Sequence, residues 1–319
     1  MPADQLRIGI RDIADRLAPE LRHLASARTD LSLEALDALR ESLNRRRRDA
    51  AHTVDSSGVD IRDEVIRGEG EQPIPVRIYR GGPSPAPAVV YCHGGAFMLG
   101  NLDIDHLQCV ELARRGSCTI VSVDYRLAPE HPYPAALDDL TAVLEWVAAS
   151  AAELDVDATR LAVAGSSAGG ALAAGLAQRC ADKSAPHIVF QLLHQPVLDD
   201  RPTPSKAEFA AAPGIDGPTT LLMWDTYLAG GEPDADSVPA RRTELAGVAG
   251  ALITCSELDP LRDEAVDYAG LLTSAGVATE LHIYPATCHG FDSFLPEWDV
   301  SRQLFERQGH ALRRAFGNS

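Results

Sequence analysis

Residues 160–170 read RLAVAGSSAGG, an apolar run that ends in a Gly-Ser-Ser-Ala-Gly turn and opens onto the Ala-rich segment ALAAGLAQRCA. An apolar run, a sharp turn and an Ala-rich segment in that order describe a strand, a turn and a helix, and Gly165-Ser166-Ser167-Ala168-Gly169 fits G-x-S-x-G between them. Such a turn strains the serine backbone, and it needs both flanking glycines because a Cβ at either would collide with neighbouring backbone. That puts Ser167, and not Ser166, at the elbow as a candidate nucleophile. Five residues of this form also arise by chance in Gly/Ser-rich loops, so the other loops carry the decision.

On both sides of this unit the chain repeats a strand-then-helix rhythm. AVVYC, CTIVSVD, RLAVAG, HIVFQLL, ALITCS and TELHIY are short apolar runs separated by helical or loop segments, the pattern of a mostly parallel sheet with helices on both faces. Ahead of them, residues 59–80 alternate and break at Gly68 to Gln72, which predicts an antiparallel hairpin. Further upstream, residues 4–48 carry a helical rhythm, with Leu36, Leu39 and Leu43 at i, i+3 and i+7, and predict a two-helix segment. The run Arg45 to Arg48 is read as cations complementing a helix C-terminus. Between Asp199 and Leu245 the rhythm lapses around the single apolar stretch LLMWDTYL, which suits a helical insertion over the sheet's C-terminal edge.

The ends of the other apolar runs hold the complementary chemistry. VVYCHGGAF leaves His93-Gly94-Gly95-Ala96 at a strand end, where small residues can aim backbone N–H groups above the sheet. With the N–H of Ala168 they would form an oxyanion hole. A serine hydroxyl is a weak nucleophile at its free pKa and needs a base held in the right tautomer. His289 follows TELHIY just before a glycine, and Asp259 follows ALITCS, with Glu257 and Asp263 as rivals for the orienting acid. The order Ser, Asp, His is that of α/β-hydrolases. No HExxH and no closely spaced Cys/His pair occurs, so neither a metal nor another cofactor is expected, although His93, His131 and His289 would be its candidates.

The bulk properties narrow the partners. A chain of 319 residues with 45% apolar content can bury one large core. A net charge of −17 repels phosphate backbones and anionic lipid, which argues against nucleic acid and acidic membranes. Six cysteines without a CxxC pair predict buried thiols and a cytoplasmic setting. No export signal and no run of eighteen uncharged apolar residues is found, so no stable membrane insertion is expected.

HGGAF, DYRLAPEHPYPAALDD, GSSAGG, DPLRDE and CHGF, in that order from about residue 60 to the C-terminus, resemble the hormone-sensitive-lipase-like branch of α/β-hydrolase esterases. The resemblance implies an eight-stranded sheet with a helical cap, hence residues 1–50 as an N-terminal cap segment, 51–198 and 246–319 as core, and 199–245 as a cap insertion. It implies a serine carboxylesterase acting on short-to-medium acyl esters, with Ser167 as nucleophile, Asp259 and His289 as its partners, and the amides of Gly94, Gly95, Ala96 and Ala168 as the oxyanion region. Phe97, Met98, Leu99, Trp224 and Tyr227 become candidate pocket walls, each equally readable as core. Two departures stand out: Ala96 replaces the usual third glycine and is expected to reshape the turn, and Ser166 replaces an acidic residue. The segment Asp124 to Asp139 is expected to be a buried structural loop. An amide, carbamate or lactone substrate would use the same triad, and a homodimer is compatible with the reading. A small-molecule receptor on this scaffold, as in the plant gibberellin receptors, would lack the catalytic histidine, and His289 is present.

Overall fold

The computed structural model describes residues 12–317. Eight strands form one sheet in the order β1-β2-β4-β3-β5-β6-β7-β8. The hairpin consists of β1 (Asp60–Arg67) and β2 (Pro73–Arg80), and it joins the sheet by antiparallel pairing of β2 with β4 (Thr119–Val123). The remaining strands, β3 (Ala86–Cys92), β5 (Val156–Ser166), β6 (Phe190–His194), β7 (Gly250–Leu258) and β8 (Thr279–Cys288), all run parallel to β4 and to one another.

The helices are α1 (Ile13–Arg16), α2 (Leu36–Ala51), α3 (His106–Gly116), α4 (Ala135–Ala149), α5 (Ala151–Leu154), α6 (Ala168–Ala181), α7 (Pro204–Glu208), α8 (Gly217–Leu228), α9 (Arg262–Ser274), α10 (Phe291–Phe294) and α11 (Asp299–Ala315). Strand residues alternate between two cores, as a period of two requires. In β3, Ala88, Val90 and Cys92 belong to the core that also holds residues of α4, α6 and α9, whereas Val89 and Tyr91 belong to the core with Cys109, Leu112, Ala311 and Leu312 of α3 and α11. Both faces of these central strands are therefore dry, which is why they read as continuous apolar runs. Each fully buried Val, Leu or Ile contributes about 1.5–3 kcal/mol.

The N-terminal segment departs from the expected pair of helices. It forms the single turn α1, a 3-10 helix over Pro19–Leu24 and the sixteen-residue α2, and the part of the predicted rhythm before residue 12 lies outside the described residues. Between β6 and β7 the chain leaves the sheet to form α7 and α8. The two excursions meet: the Gly214 N–H donates to Ala27 O at 3.2 Å, and Arg28 Nη2 donates to Ala211 O at 2.7 Å. Among the described residues no helix is long and apolar enough to cross a membrane.

Candidate active site

Ser167 stands between the last residue of β5 and the first of α6, with φ 55° and ψ −121°. A left-handed conformation at a residue with a Cβ is strained and persists only where the surroundings over-determine it. They do so here, because the Ser167 N–H donates to His194 O at 2.9 Å while its carbonyl accepts from Gly170 at 2.9 Å and from Val197 at 3.0 Å. The two glycines of the turn answer to close approach. A Cβ on Gly165 would come within 2.1 Å of Gly169 O, and one on Gly169 within 2.0 Å of Cys92 O. No side chain larger than hydrogen fits at either position, so β5, the turn and β3 can lie this close only with this sequence.

His289, directly after β8, places Nε2 3.0 Å from Ser167 Oγ and Nδ1 2.9 Å from Asp259 Oδ2. Asp259, directly after β7, is fully buried, and its other oxygen accepts the Leu261 N–H at 2.9 Å. Burial disfavours the His289 imidazolium, but the Asp259 charge and hydrogen bond outweigh it and hold the histidine's pKa above its ordinary value. The rival carboxylates are engaged elsewhere. Glu257 accepts from the Ala286 N–H at 2.8 Å, and Asp263 accepts from the Ser205 N–H at 2.7 Å and from Arg262 Nε at 2.9 Å.

The turn after β3 is brought over the elbow, with Gly95 at φ 132°, Ala96 at φ 58° and Phe97 at φ 63°. Among the described residues, the N–H groups of Gly95, Ala96 and Ala168 have no backbone or side-chain acceptor. Gly94 is a correction to the sequence reading. Its N–H donates to Asp105 Oδ2 at 2.8 Å, so it is already satisfied and has nothing to offer an oxyanion. Asp105, which also accepts from Tyr91 Oη at 3.1 Å, is a residue the sequence reading missed. Two further tethers hold the turn: Tyr125 Oη donates to His93 O at 2.7 Å, and Arg40 Nε of α2 donates to Met98 O at 2.8 Å.

The five aromatic and aliphatic candidates lie in the packing that joins this turn to the insertion. Phe97 stacks on Tyr227 with ring centroids 4.1 Å apart and tilts against Trp224 at 5.3 Å, and Trp224 Nε1 donates to Asp199 O. Met98 has no exposed surface and Leu99 very little. A side chain without exposed surface offers a ligand nothing while its neighbours stay in place. In the segment 124–139, the buried Asp139 carboxylate accepts from the Arg126 N–H at 3.0 Å, from Arg126 Nη2 at 2.8 Å and from Gln72 Nε2 at 3.1 Å, which ties that loop to the hairpin. Beside the triad lies a second buried pair that the sequence did not signal. His194 Nε2 is 3.1 Å from Asp292 Oδ1, and although burial opposes it, the contact with His194 holds the Asp292 carboxyl down at about 2.

The sequence model of a family described as having the alpha/beta hydrolase fold matches residues 89–293. The chain is 41% identical over 282 residues to the esterase LipI of Mycobacterium tuberculosis, covering 86% of this chain and 88% of that protein. It is likewise 41% identical over 268 residues to the carboxylesterase NlhH of Mycobacterium tuberculosis, covering 80% and 82%. Among solved structures, the esterase LipW from Mycobacterium marinum superimposes with a TM-score of 0.93 at 61% identity, covering 95% of this chain and 97% of that one.

Proposed function

The chain belongs to the hormone-sensitive-lipase-like family of α/β-hydrolases, and from that membership we infer that it is a serine carboxylesterase working through Ser167, His289 and Asp259. The observation that carries the reading is the unbroken chain of contacts from Ser167 Oγ to His289 Nε2 at 3.0 Å and from His289 Nδ1 to Asp259 Oδ2 at 2.9 Å. Three side chains from three separate loops meet in the geometry that nucleophilic acyl transfer requires.

In this mechanism Ser167 Oγ attacks the ester carbonyl carbon while His289 Nε2 accepts its proton, and the charge on imidazolium is balanced by Asp259. The oxyanion takes hydrogen bonds from the N–H groups of Gly95, Ala96 and Ala168. Collapse of the tetrahedral intermediate breaks the bond to the alkoxy oxygen, which leaves as alcohol with the proton from His289. Water then gives its proton to His289 and attacks the acyl carbon, and expulsion of Ser167 Oγ, reprotonated by His289, frees the acid.

Of the N-terminal segment 1–50, the described residues 12–50 form the cap together with 199–245 in this reading, supported by the contacts of Ala27 and Arg28 with residues 211 and 214, and residues 1–11 lie outside the described residues. The short-to-medium acyl preference belongs to the same proposal. A cytoplasmic setting is supported by six buried thiols, none in a disulfide. His289 within reach of Ser167 disfavours the receptor reading. The test is release of nitrophenol from p-nitrophenyl acetate, butyrate and laurate by wild type, Ser167→Ala and His289→Ala. Turnover of the short esters that both substitutions abolish is expected, and turnover untouched by Ser167→Ala would overturn the assignment.

A further inference from the structure

We propose that Gln195 is a positioning residue that sets where His289 stands relative to Ser167. It rests on the triad reading above and concerns a side chain that touches no reacting atom. Gln195 lies one residue beyond β6, is buried, and has φ 46°. Its Oε1 accepts the Gly290 N–H at 2.7 Å, and its Nε2 donates to Ser256 Oγ at 2.7 Å. Ser256 Oγ in turn donates to Cys288 O at 3.0 Å. The residues immediately before and after His289 are thus both tied, directly or through one hydroxyl, to a single amide side chain. An amide supplies the acceptor and the donor on two separate atoms, and an ionised carboxylate of the same length has no donor.

The same segment also holds the nucleophile. His194 O accepts the Ser167 N–H at 2.9 Å, and the Val197 N–H donates to Ser167 O at 3.0 Å. The Gln195 N–H donates to Thr254 O at 2.6 Å, which fixes the bracket to β7. Residues 194–197 therefore grip the elbow by main chain and the base loop by side chain, and Gln195 is the link between the two. A left-handed non-glycine residue persists where its surroundings over-determine it, and such residues cluster at functional sites. A misplacement of about 1 Å between reacting groups costs on the order of a hundredfold in rate, so a link of this kind acts on kcat.

The test compares wild type, Ser167→Ala, Gln195→Met, Gln195→Glu and Ser256→Ala on p-nitrophenyl acetate, with kcat, KM and the acid limb of the kcat/KM pH profile. Gln195→Met keeps the length and removes both hydrogen bonds. It is expected to lower kcat by about 10–100-fold with KM within about twofold. The charged groups acting on His289 are Asp259, Asp292 and Glu264, and they raise its pKa. A histidine held less firmly against Asp259 loses part of that effect, so the acid limb moves to lower pH. Gln195→Glu keeps the acceptor for Gly290, loses the donor to Ser256 and adds a negative charge, so it recovers kcat to about the level of Ser256→Ala and moves the limb to higher pH. Ser256→Ala removes only the arm to Cys288 and lowers kcat by about three- to tenfold, and it stands in if Gln195→Met does not fold. A kcat within twofold of wild type in Gln195→Met, or in Ser256→Ala where that variant stands in, overturns the inference. So does a loss of kcat with an unmoved acid limb that Gln195→Glu does not restore. An inactive wild type or an active Ser167→Ala overturns the triad reading instead.

Discussion

Replacing Asp259 by asparagine separates the three carboxylates that the sequence left in competition around the end of β7. Asp259 Oδ1 accepts the Leu261 N–H and Oδ2 faces His289 Nδ1, each at 2.9 Å in a fully buried site. Asparagine can keep only one of these acceptor contacts. If its oxygen stays on Leu261, its NH2 group meets His289, which must then accept at Nδ1 and carry its proton on Nε2, facing Ser167. That tautomer cannot take the serine proton. Loss of the hydrogen bond between the developing imidazolium and a carboxylate costs about 2–3 kcal/mol, and the wrong tautomer forfeits about one further hydrogen bond of 1–2 kcal/mol. Together about 4 kcal/mol corresponds to roughly a thousandfold in kcat/KM. The Leu261 contact survives, so the melting temperature is expected to stay within about 3 °C, a shift that corresponds to about 2 kcal/mol for a domain of this size. Glu257→Gln keeps an acceptor for Ala286, and Asp263→Asn keeps one for Ser205, so each is expected to retain activity within about threefold, as for a lost solvent-screened contact. The assay is p-nitrophenyl acetate hydrolysis beside a thermal melt. A loss below tenfold in Asp259→Asn, or a larger loss in Glu257→Gln, would refute the reasoning.

Asp105→Ala leaves the buried Gly94 N–H and Tyr91 hydroxyl without an acceptor, so it is expected to lower stability by about 3 kcal/mol and kcat by about tenfold as the oxyanion turn loosens. Asp105→Asn, which keeps one acceptor, should recover part of both, and urea titration with steady-state kinetics checks the pair. Arg40 donates to the Met98 and Ala128 carbonyls and pairs with the half-exposed Glu130. Arg40→Ala is therefore expected to cost about 3 kcal/mol, Glu130→Gln less than about 1, and equal losses in urea denaturation would show that the carbonyl contacts contribute nothing.

What the sequence makes legible follows the range of the interaction that fixes it. The alternation in β1 and β2, the break at Gly68 to Gln72 and the apolar runs of the parallel strands are local patterns, and each becomes the corresponding element. Leu36, Leu39 and Leu43 likewise lie in α2, whereas the chain before them carries Pro19, and there, among the described residues, the expected first helix reduces to α1 and one 3-10 helix. Ser167, Asp259 and His289 are readable because each follows directly on a strand. Asp105 and Gln195 are not, because their meaning lies in contacts with Gly94, Ser256 and Gly290 that no short pattern encodes.

Ala96 marks where local reasoning yields to tertiary structure. Its Cβ disfavours a positive φ, yet it adopts φ 58°, and Phe97 follows at φ 63°. Two such residues together cost about 2–4 kcal/mol. Against this stand the bonds that fix the ends of the turn: Gly94 to Asp105, His93 to Tyr125, Leu99 to Gly95 at 2.7 Å, and Met98 to Arg40. At about 1 kcal/mol each, and more for those to charged groups, the four equal or exceed the strain. Their donors and acceptors come from α2, the loop after β4 and the start of α3, so the turn keeps its shape only while those elements stay docked. An alanine where glycine would be free is therefore tolerated because the rest of the fold holds it, and in the proposed mechanism this orients the N–H groups of Gly95 and Ala96 before the ester arrives.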